Sequence, residues 1–273
     1  MFEPLDSCHQ NFMEEKLKQL PSILSEYFFP NFYIYRKSFG DKIHQGPFSI
    51  IETVTVNGQK VYTPLDPLTP ESLHYYKNLV GSCVLYPIPD EWLVMLEGYS
   101  KESYEEDADY IFTLEKMAFL KGRHLSGKRN LLHQFFDLYE KREAINLAPP
   151  NIPLAKEVLA SCSTEHKEDY RECAEALEKM EELHLYGRLL IIENKPVGFI
   201  VGGFQRDAFI VQFMKADKAY KGIYTFLYQD LAQALPESTA WINLEQDLGI
   251  LPLRQAKKSY QPDQVATKWR VKL

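Results

Sequence analysis

Features that often assign a function directly are missing from this 273-residue sequence. Its four cysteines lie far apart without a CxxC pair, and no two histidines stand three to five residues apart. A structural zinc site is therefore not indicated, and a chain of this size needs no disulfide framework. No apolar run approaches the roughly 18 residues of a membrane-spanning helix, and the N-terminus lacks the apolar core of a signal peptide. We expect a soluble, reduced, cytoplasmic protein without a bound metal.

The sequence also lacks an excess of positive charge. It has 31 Lys and Arg against 38 Asp and Glu, a formal net charge of −7. This balance disfavours a protein that coats DNA or other nucleic acids indiscriminately, and it leaves room for a local basic patch. The apolar and charged fractions are 45% and 25%, which are ordinary values for a globular chain. At roughly 100–200 residues per domain, the length allows one large domain or two modest ones.

The pattern of elements predicts a mixed α/β protein built from two similar units. Each half reads as helix, hairpin, strand, helix and strand, and residues 146–153 between them carry three prolines in eight residues. We place the boundary there, with a first unit of residues 1–146 and a second of residues 147–273. The predicted helices are one over 11–29 interrupted at Pro21 and others over 72–80, 129–141, 164–185, 223–235 and 251–259. The predicted strands are a hairpin around Asn57-Gly58, strands over 92–99, 110–114, 209–216 and 240–245, and two strands over 189–204 around a tight turn at 193–196.

The first segment that suggests chemistry is KGRHLSGKRN, residues 121–130. Gly122, Gly127 and Lys128 have the spacing of a phosphate-binding loop, but Arg129 stands where that loop needs Ser or Thr, which excludes nucleotide hydrolysis. A basic loop that leads into a helix still favours an anion. The alternative is a solvated loop whose cations offset the acids of 102–109. The candidate phosphate-binding residues of this segment are Arg123, His124, Lys128, Arg129 and Asn130.

The second segment is AWINLEQDLGILPLRQAKKSY, residues 240–260. On a strand, Asn243, Glu245 and Asp247 point to one face, and Glu245 is suited to act as a general base. Lys257 and Tyr260 follow within the same segment. The alternative interpretation is an internal salt-bridge cluster between these acids and the bases of residues 254–258.

These segments resemble a known family. YIFTL, GRHLSGKRNLLHQF and WINLEQDLGILPLRQAKKSYQP are similar to the soluble family related to the C-terminal domain of phosphatidylglycerol lysyltransferases, over nearly all of the chain from about residue 40. The resemblance implies two Gcn5-related N-acetyltransferase-like units in tandem, each a mixed sheet flanked by helices. It also implies a more distant relation to Fem-type aminoacyltransferases, which use aminoacyl-tRNA.

The sequence departs from ordinary acetyltransferases at their pyrophosphate loop. Where these have R/Q-x-x-G-x-G/A, this chain has residues 218–224 with Gly222 as the single glycine. An acyl donor other than acetyl-CoA held in the usual way is therefore expected. Most often a lone glycine of this kind simply permits a turn.

Together, the residues and the resemblance predict an acyl- or aminoacyltransferase that works at a cleft between its two units. The donor is an acyl-CoA or an aminoacyl-tRNA, whose acceptor end is the expected nucleic-acid contact. Lys128 and Arg129 hold donor phosphates, and Glu245 deprotonates or orients the amine or hydroxyl acceptor. Asn243, Asp247, Lys257 and Tyr260 line the site. The alternative is a non-catalytic protein that keeps the fold and binds a phosphorylated ligand or a partner.

Overall fold

The contacts within the chain divide it into two units. The computed structural model describes residues 1–55, 57–162 and 169–273. Unit 1 consists of Met1–Asp109, Gln246–Leu251 and Val265–Leu273, and unit 2 of Tyr110–Glu245 and Pro252–Gln264. The first break between the two units follows Asp109, and the proline-rich segment 146–153 lies within unit 2. That segment begins at the end of a strand of unit 2 and leads into a helix of the same unit. Pro149 and Pro150 occupy a short 3-10 turn, and Pro153 lies in the first turn of the helix, where a proline is tolerated.

The elements are numbered in chain order. Up to residue 109, the helices are α1 (Gln10–Leu17), α2 (Phe29–Phe39) and α3 (Pro70–Val80), and the strands are β1 (Glu3–Pro4), β2 (Lys42–His44), β3 (Ile50–Val54), β4 (Lys60–Pro64), β5 (Val84–Ile88) and β6 (Ser100–Ser103). From there onwards, the strands are β7 (Asp109–Thr113), β8 (Arg142–Asn146), β9 (Leu185–Ile192), β10 (Lys195–Gln205), β11 (Ala208–Ala216), β12 (Trp241–Asn243), β13 (Gln264–Ala266) and β14 (Trp269–Lys272). The helices of this part are α4 (Leu114–Phe119), α5 (Ser126–Leu138), α6 (Ile152–Cys162), α7 (Tyr170–Glu178), α8 (Ile223–Ala234) and α9 (Leu251–Lys258).

Two mixed sheets are formed by the described residues. The first has the order β1-β2-β3-β4-β5-β14-β6, with a parallel pair β4–β5. The second has the order β13-β7-β12-β11-β10-β9-β8, with a parallel pair β11–β12. The expected class, mixed α/β with two mixed sheets, is confirmed.

Most of the expected elements form, and two expectations need correction. The hairpin around Asn57-Gly58 is present as the antiparallel pair β3–β4. Residues 92–99 were expected as a strand, yet Asp90–Leu96 is a 3-10 helix that buries Trp92 and Leu96 and exposes Val94. A short apolar run does not by itself distinguish strand from helix. The expected helix over 164–185 lies partly outside the described residues, and its described part forms α7, which ends at Glu178. The expected helix over 11–29 ends at Leu17, before Pro21, and Ser25–Tyr27 forms a 3-10 turn instead.

The core of unit 2 lies between its sheet and helices α5 and α8. Helix α5 buries Leu132 and Phe135, and the Phe135 ring stacks on Phe226 of α8 with 4.6 Å between centroids. In the sheet, a β-carbon at Gly202 would come within 1.9 Å of the Ile210 carbonyl oxygen, so only glycine allows the two strands to pair there. The ring contact holds α5 against α8, and β11 in turn pairs with β12, so these elements position candidate site residues.

The described residues contain no helix that is both long enough and apolar enough to cross a bilayer. Within the same residues, no group of three or more His, Cys, Asp or Glu side chains is arranged to hold a metal ion.

Candidate functional site

The turn after β12 holds Glu245 in an unusual backbone conformation. The Asn243 side-chain oxygen accepts a hydrogen bond from the Glu245 N–H at 2.7 Å. The Glu245 carbonyl oxygen accepts from the Tyr110 N–H at 3.3 Å. The φ angle of Glu245 is 59°, in the left-handed region that residues with a β-carbon rarely adopt. Such conformations persist where the surroundings determine them, and they are concentrated at functional sites.

This turn corrects the expectation that Asn243, Glu245 and Asp247 share one face of a strand. Strand β12 ends at Asn243, because the fully buried Asn243 side chain bonds to the backbone two residues ahead and so starts a turn. Asp247 belongs to unit 1 and is fully buried, and its Oδ1 accepts from the Gly249 N–H at 2.9 Å. Asp247 therefore shapes the loop that precedes α9.

Lys257 stabilises the same turn from α9. Its side chain is buried, and its ammonium donates to the carbonyl oxygens of Leu244 at 2.6 Å and Glu245 at 3.2 Å. A buried ammonium needs such partners, because burying a charge without hydrogen bonds costs several kcal/mol. From the sequence, Lys257 was predicted to bind a ligand. In the structure its ammonium instead forms hydrogen bonds with the backbone of Leu244 and Glu245.

Tyr260 lies just beyond α9 and is buried. Its N–H donates to the Lys257 carbonyl oxygen at 3.2 Å, and its hydroxyl is 3.0 Å from Oγ1 of Thr225 on α8. Burial raises the pKa of Tyr260 to about 12, although the hydrogen bond with Thr225 opposes that shift. The phenol therefore stays protonated near neutral pH and is a hydrogen-bonding group instead of a base.

Lys128 connects the two segments that the sequence singled out. Its ammonium nitrogen lies 3.9 Å from the centroid of the Tyr260 ring, a cation–π contact. Lys128 is half-buried, and this burial lowers its pKa. One residue of the basic segment thus contacts one residue of the segment 240–260 within unit 2.

The other basic residues of segment 121–130 differ from Lys128. Arg129 donates from Nη1 to the carbonyl oxygens of Leu120 at 2.5 Å and Gly122 at 2.7 Å, so it fixes the loop before α5. Arg123, His124 and Asn130 are exposed. The structure therefore separates a residue that braces the loop from residues whose side chains face solvent.

The loop before α8 does not present its amides for a pyrophosphate. The Ala219 N–H donates to Oδ1 of Asp217 at 3.0 Å, and the Tyr220 N–H donates to the Asp217 carbonyl at 3.1 Å. The Lys221 N–H donates to the Tyr139 hydroxyl at 3.0 Å. A phosphate-binding loop needs such N–H groups to point at the ligand, and here groups of the protein itself occupy them.

Three of these partners were not found by sequence reasoning. The sequence assigned no role in a site to Thr225, Tyr139 or Asp217, and each makes a hydrogen bond to a residue far away or to a loop amide. Asp217 could have been found, because an aspartate two residues before a loop amide is typical of an Asx turn. The other two depend on which helices pack together, which the local sequence does not encode.

Comparison with known proteins agrees with this architecture. A conserved protein of unknown function from Bacteroides thetaiotaomicron matches with a TM-score of 0.90 at 23% identity, covering 100% of this chain and 99% of the other. The structure of L-PGS from Bacillus licheniformis matches with a TM-score of 0.65 at 14% identity, covering 96% and 91%. FemX matches with a TM-score of 0.63 at 7% identity, covering 99% and 96%. No curated protein matches the sequence.

These structures share the fold with this chain, and the expected arrangement of two units, each with a mixed sheet flanked by helices, is confirmed. The family model "Phosphatidylglycerol lysyltransferase, C-terminal" matches residues 63–272, which is more than half of the chain. The chain therefore belongs to the family of the phosphatidylglycerol lysyltransferase C-terminal domain.

Proposed function

We propose that this protein is an aminoacyltransferase that takes an amino acid from an ester donor of the aminoacyl-tRNA type and passes it to an amine or hydroxyl acceptor. The observation that carries the proposal is the loop before α8, where Asp217 and Tyr139 occupy the amides of residues 219–221. A coenzyme A pyrophosphate needs these amides. An aminoacyl ester of RNA does not, and the aminoacyltransferase-type fold of the family fits such a donor.

Glu245 is the proposed general base. The acceptor nitrogen or oxygen attacks the ester carbonyl carbon, and its proton passes to the Glu245 carboxylate. The tetrahedral intermediate then breaks its bond to the ribose oxygen, which takes the proton from Glu245 as it leaves. Hydrogen bonds with Asn243, Tyr110 and Lys257 hold the left-handed backbone of Glu245, which sets the direction in which its side chain leaves the backbone. Positioning of a catalytic group supplies much of the acceleration in group transfer.

Lys128 is the proposed contact to donor phosphate. Its half-buried ammonium is held over the Tyr260 ring, and burial lowers its pKa, so a nearby phosphate would stabilise its charged form. Arg123, His124 and Asn130 lie exposed in the same segment and extend this contact. Arg129 holds the loop through its Nη1 group, and its other N–H groups are proposed to extend the contact to phosphate.

The test compares two donors on the full chain. The protein would be incubated with tRNA carrying one ¹⁴C-labelled amino acid at a time, or with ¹⁴C-acetyl-CoA, and with a panel of amine and hydroxyl acceptors. We expect consumption of at least one aminoacyl ester and transfer of its label. Consumption of acetyl-CoA instead, or of neither donor, would contradict the proposal.

Glu245→Gln sharpens that test. Because glutamine keeps the shape of glutamate and cannot take the proton, single-turnover transfer should fall by roughly 10²–10⁴ while the thermal unfolding midpoint hardly changes. Glu237→Gln is the matched control, since Glu237 is exposed in the same unit. Equal rates for Glu245→Gln and the wild type would remove Glu245 from catalysis.

A second candidate function is non-catalytic binding of a phosphorylated ligand. Asn243, Lys257 and Tyr260 all form hydrogen bonds within the protein, as members of a structural cluster do. Their structural role favours a protein that keeps the fold and binds a ligand without catalysis. Under this alternative, native mass spectrometry of freshly purified protein would show a co-purifying phosphorylated ligand, and no donor would be consumed.

A further inference from the structure

An exposed cationic surface surrounds the start of α5. We call it the α5 surface and define it by Phe119, Lys121, Arg123, His124, Lys128 and Arg129. Residues 116–130 contain five Lys or Arg and no Asp or Glu, within a chain whose net charge is −7. The local charge is therefore opposite in sign to that of the whole molecule.

Most of the positive charge of this surface is not neutralised by carboxylates. Lys121 pairs with Glu115 at 2.6 Å. Among the described residues, Arg123, His124, Lys128 and Arg129 form no ion pair with Asp or Glu. Charges that attract an anionic partner from solution must be left unneutralised in this way.

Contacts within the segment make it one continuous surface. Arg129, in the first turn of α5, bonds to the carbonyl oxygens of Leu120 and Gly122, on either side of Lys121. The Lys121 ammonium lies 5.1 Å from the centroid of the Phe119 ring. The loop, the first turn of α5 and the end of α4 therefore present their side chains together.

An aromatic ring is exposed among these cations. Phe119 is 55% exposed, while Met117, Leu120 and Leu125 of the same segment are buried. A single exposed apolar residue is ordinary on a protein surface. An exposed ring flanked by unneutralised cations is the combination that binds single-stranded nucleic acid, because bases stack on the ring and phosphates contact the cations.

We propose that the α5 surface binds a short single-stranded RNA end, with a base stacked on Phe119 and phosphates contacting Arg123, Lys128 and Arg129. The proposal rests on the proposed function and locates the RNA part of its donor. An anionic lipid surface would need a broader apolar face, since Phe119 is the one large apolar side chain exposed among residues 116–130.

Fluorescence anisotropy tests the proposal on the full chain. The probe is a 5′-labelled RNA of about ten nucleotides that ends in CCA and carries no amino acid. Its binding is measured at KCl concentrations between 50 and 300 mM. Each phosphate contact contributes about −0.7 to the slope of log K against log salt for a single strand, so three cations predict a slope near −2. Arg123→Ala and Lys128→Ala should each make the slope shallower by about 0.7. Lys141→Ala is the matched control, because Lys141 is exposed beyond the far end of α5.

The aromatic contribution is tested separately. Phe119→Leu should weaken binding about tenfold at every salt concentration, since stacking involves no counterion release. Phe204→Leu is its control, because Phe204 is 43% exposed elsewhere in unit 2. Binding to phosphatidylglycerol vesicles is measured in parallel, to distinguish an RNA surface from a surface that binds anionic lipid.

The outcomes separate this proposal from the proposed function. Binding to vesicles but not RNA, no binding at all, or RNA binding that none of these variants weakens would overturn the RNA surface. Donor consumption without any effect of these variants on RNA binding contradicts the surface alone. RNA binding that depends on the surface, without consumption of any aminoacyl ester, contradicts the transferase alone.

Discussion

At the scale of single residues, Lys257 shows how a charged side chain in the candidate site acts through the backbone. Its ammonium donates to the carbonyl oxygens of Leu244 and Glu245, which lie 13 and 12 residues earlier in the sequence. Hydrogen bonds from charged donors contribute about 1.5–3 kcal/mol each. The conformation of Glu245 therefore depends on Lys257.

We expect Lys257→Met to lower the free energy of unfolding by about 2–4 kcal/mol, because two carbonyl oxygens lose a charged donor while the apolar stem is kept. Urea unfolding measures this change. Lys258→Met is the matched control, since the neighbouring Lys258 is exposed and its replacement should change stability by less than about 0.5 kcal/mol. Equal effects for the two variants would mean that the turn does not depend on the Lys257 ammonium.

Asp41 gives a pH-dependent prediction. Its side chain is buried, and burial raises its pKa to about 7, although a hydrogen bond from Thr53 at 2.7 Å opposes the shift. Between about pH 4 and 7, the folded state keeps a proton that the unfolded chain has released, so stability falls as the pH rises. Each pH unit in this window costs about 1.4 kcal/mol.

Asp41→Asn should remove this dependence, because the amide carries no charge at either pH. We expect the variant to be more stable than the wild type at pH 8 and to gain little or nothing at pH 4, as measured by urea unfolding at both pH values. The exposed Asp137→Asn is the control and should leave the difference between the two pH values unchanged. A wild type whose stability does not depend on Asp41 between pH 4 and 8 would contradict the prediction.

At the scale of elements, the start of α8 depends on a glycine that packs against α5. Gly222 has a φ of 85°, and a β-carbon there would lie 2.8 Å from the Leu131 carbonyl oxygen. Both the backbone conformation and the contact with α5 exclude larger residues. Gly127, in the first turn of α5, is different, because a β-carbon added there would meet no other atom within 4 Å.

Replacing these two glycines with alanine should change the stability of the protein in opposite directions. Gly222→Ala should destabilise the protein by more than about 1 kcal/mol, because a left-handed conformation and a backbone contact both oppose the new methyl group. Gly127→Ala should be neutral or stabilising by up to about 1 kcal/mol, because alanine favours a helix over glycine. Thermal unfolding of the two variants checks the signs, and destabilisation by both would show that the start of α5 is not regular helix.

At the scale of the whole molecule, a buried ionic cluster joins distant parts of the sequence within unit 1. Lys268 is fully buried, and its ammonium lies 2.6 Å from both Asp109 and Glu26 and 2.9 Å from the Gln246 side-chain oxygen. Burial raises the pKa of Glu26, and the Lys268 charge offsets only part of that effect. Breaking a buried pair is costly because it leaves an uncompensated charge behind.

We expect Lys268→Met to lower the free energy of unfolding by about 3–5 kcal/mol at neutral pH. The loss should shrink as the pH is lowered, since protonation of Asp109 or Glu26 removes the uncompensated charge. Lys272→Met is the control, because Lys272 lies in β14, the strand that directly follows Lys268, and is exposed. Urea unfolding of both variants at pH 5 and pH 8 makes the comparison, and a loss that does not vary with pH would point to packing instead of charge.

The sequence by itself determined the elements whose signals are local. The Asn57-Gly58 hairpin, the strands over 189–216 and the helix after Gly222 were all predicted, because turn chemistry and apolar periodicity act over a few residues. The resemblance of residues 110–114, 122–135 and 241–262 was sufficient to identify the family. The residues in these segments were also identified as candidates before their surroundings were known.

Only the tertiary structure decided how those residues are used. In the structure, β12 ends at Asn243 and the Lys257 ammonium donates a hydrogen bond to the Glu245 carbonyl oxygen. The Lys128 ammonium lies over the ring of Tyr260. The tertiary structure also brought segments near both ends of the chain together in unit 1. Each of these outcomes depends on contacts between residues far apart in sequence, and a local pattern carries no information about which distant group will satisfy a buried polar atom.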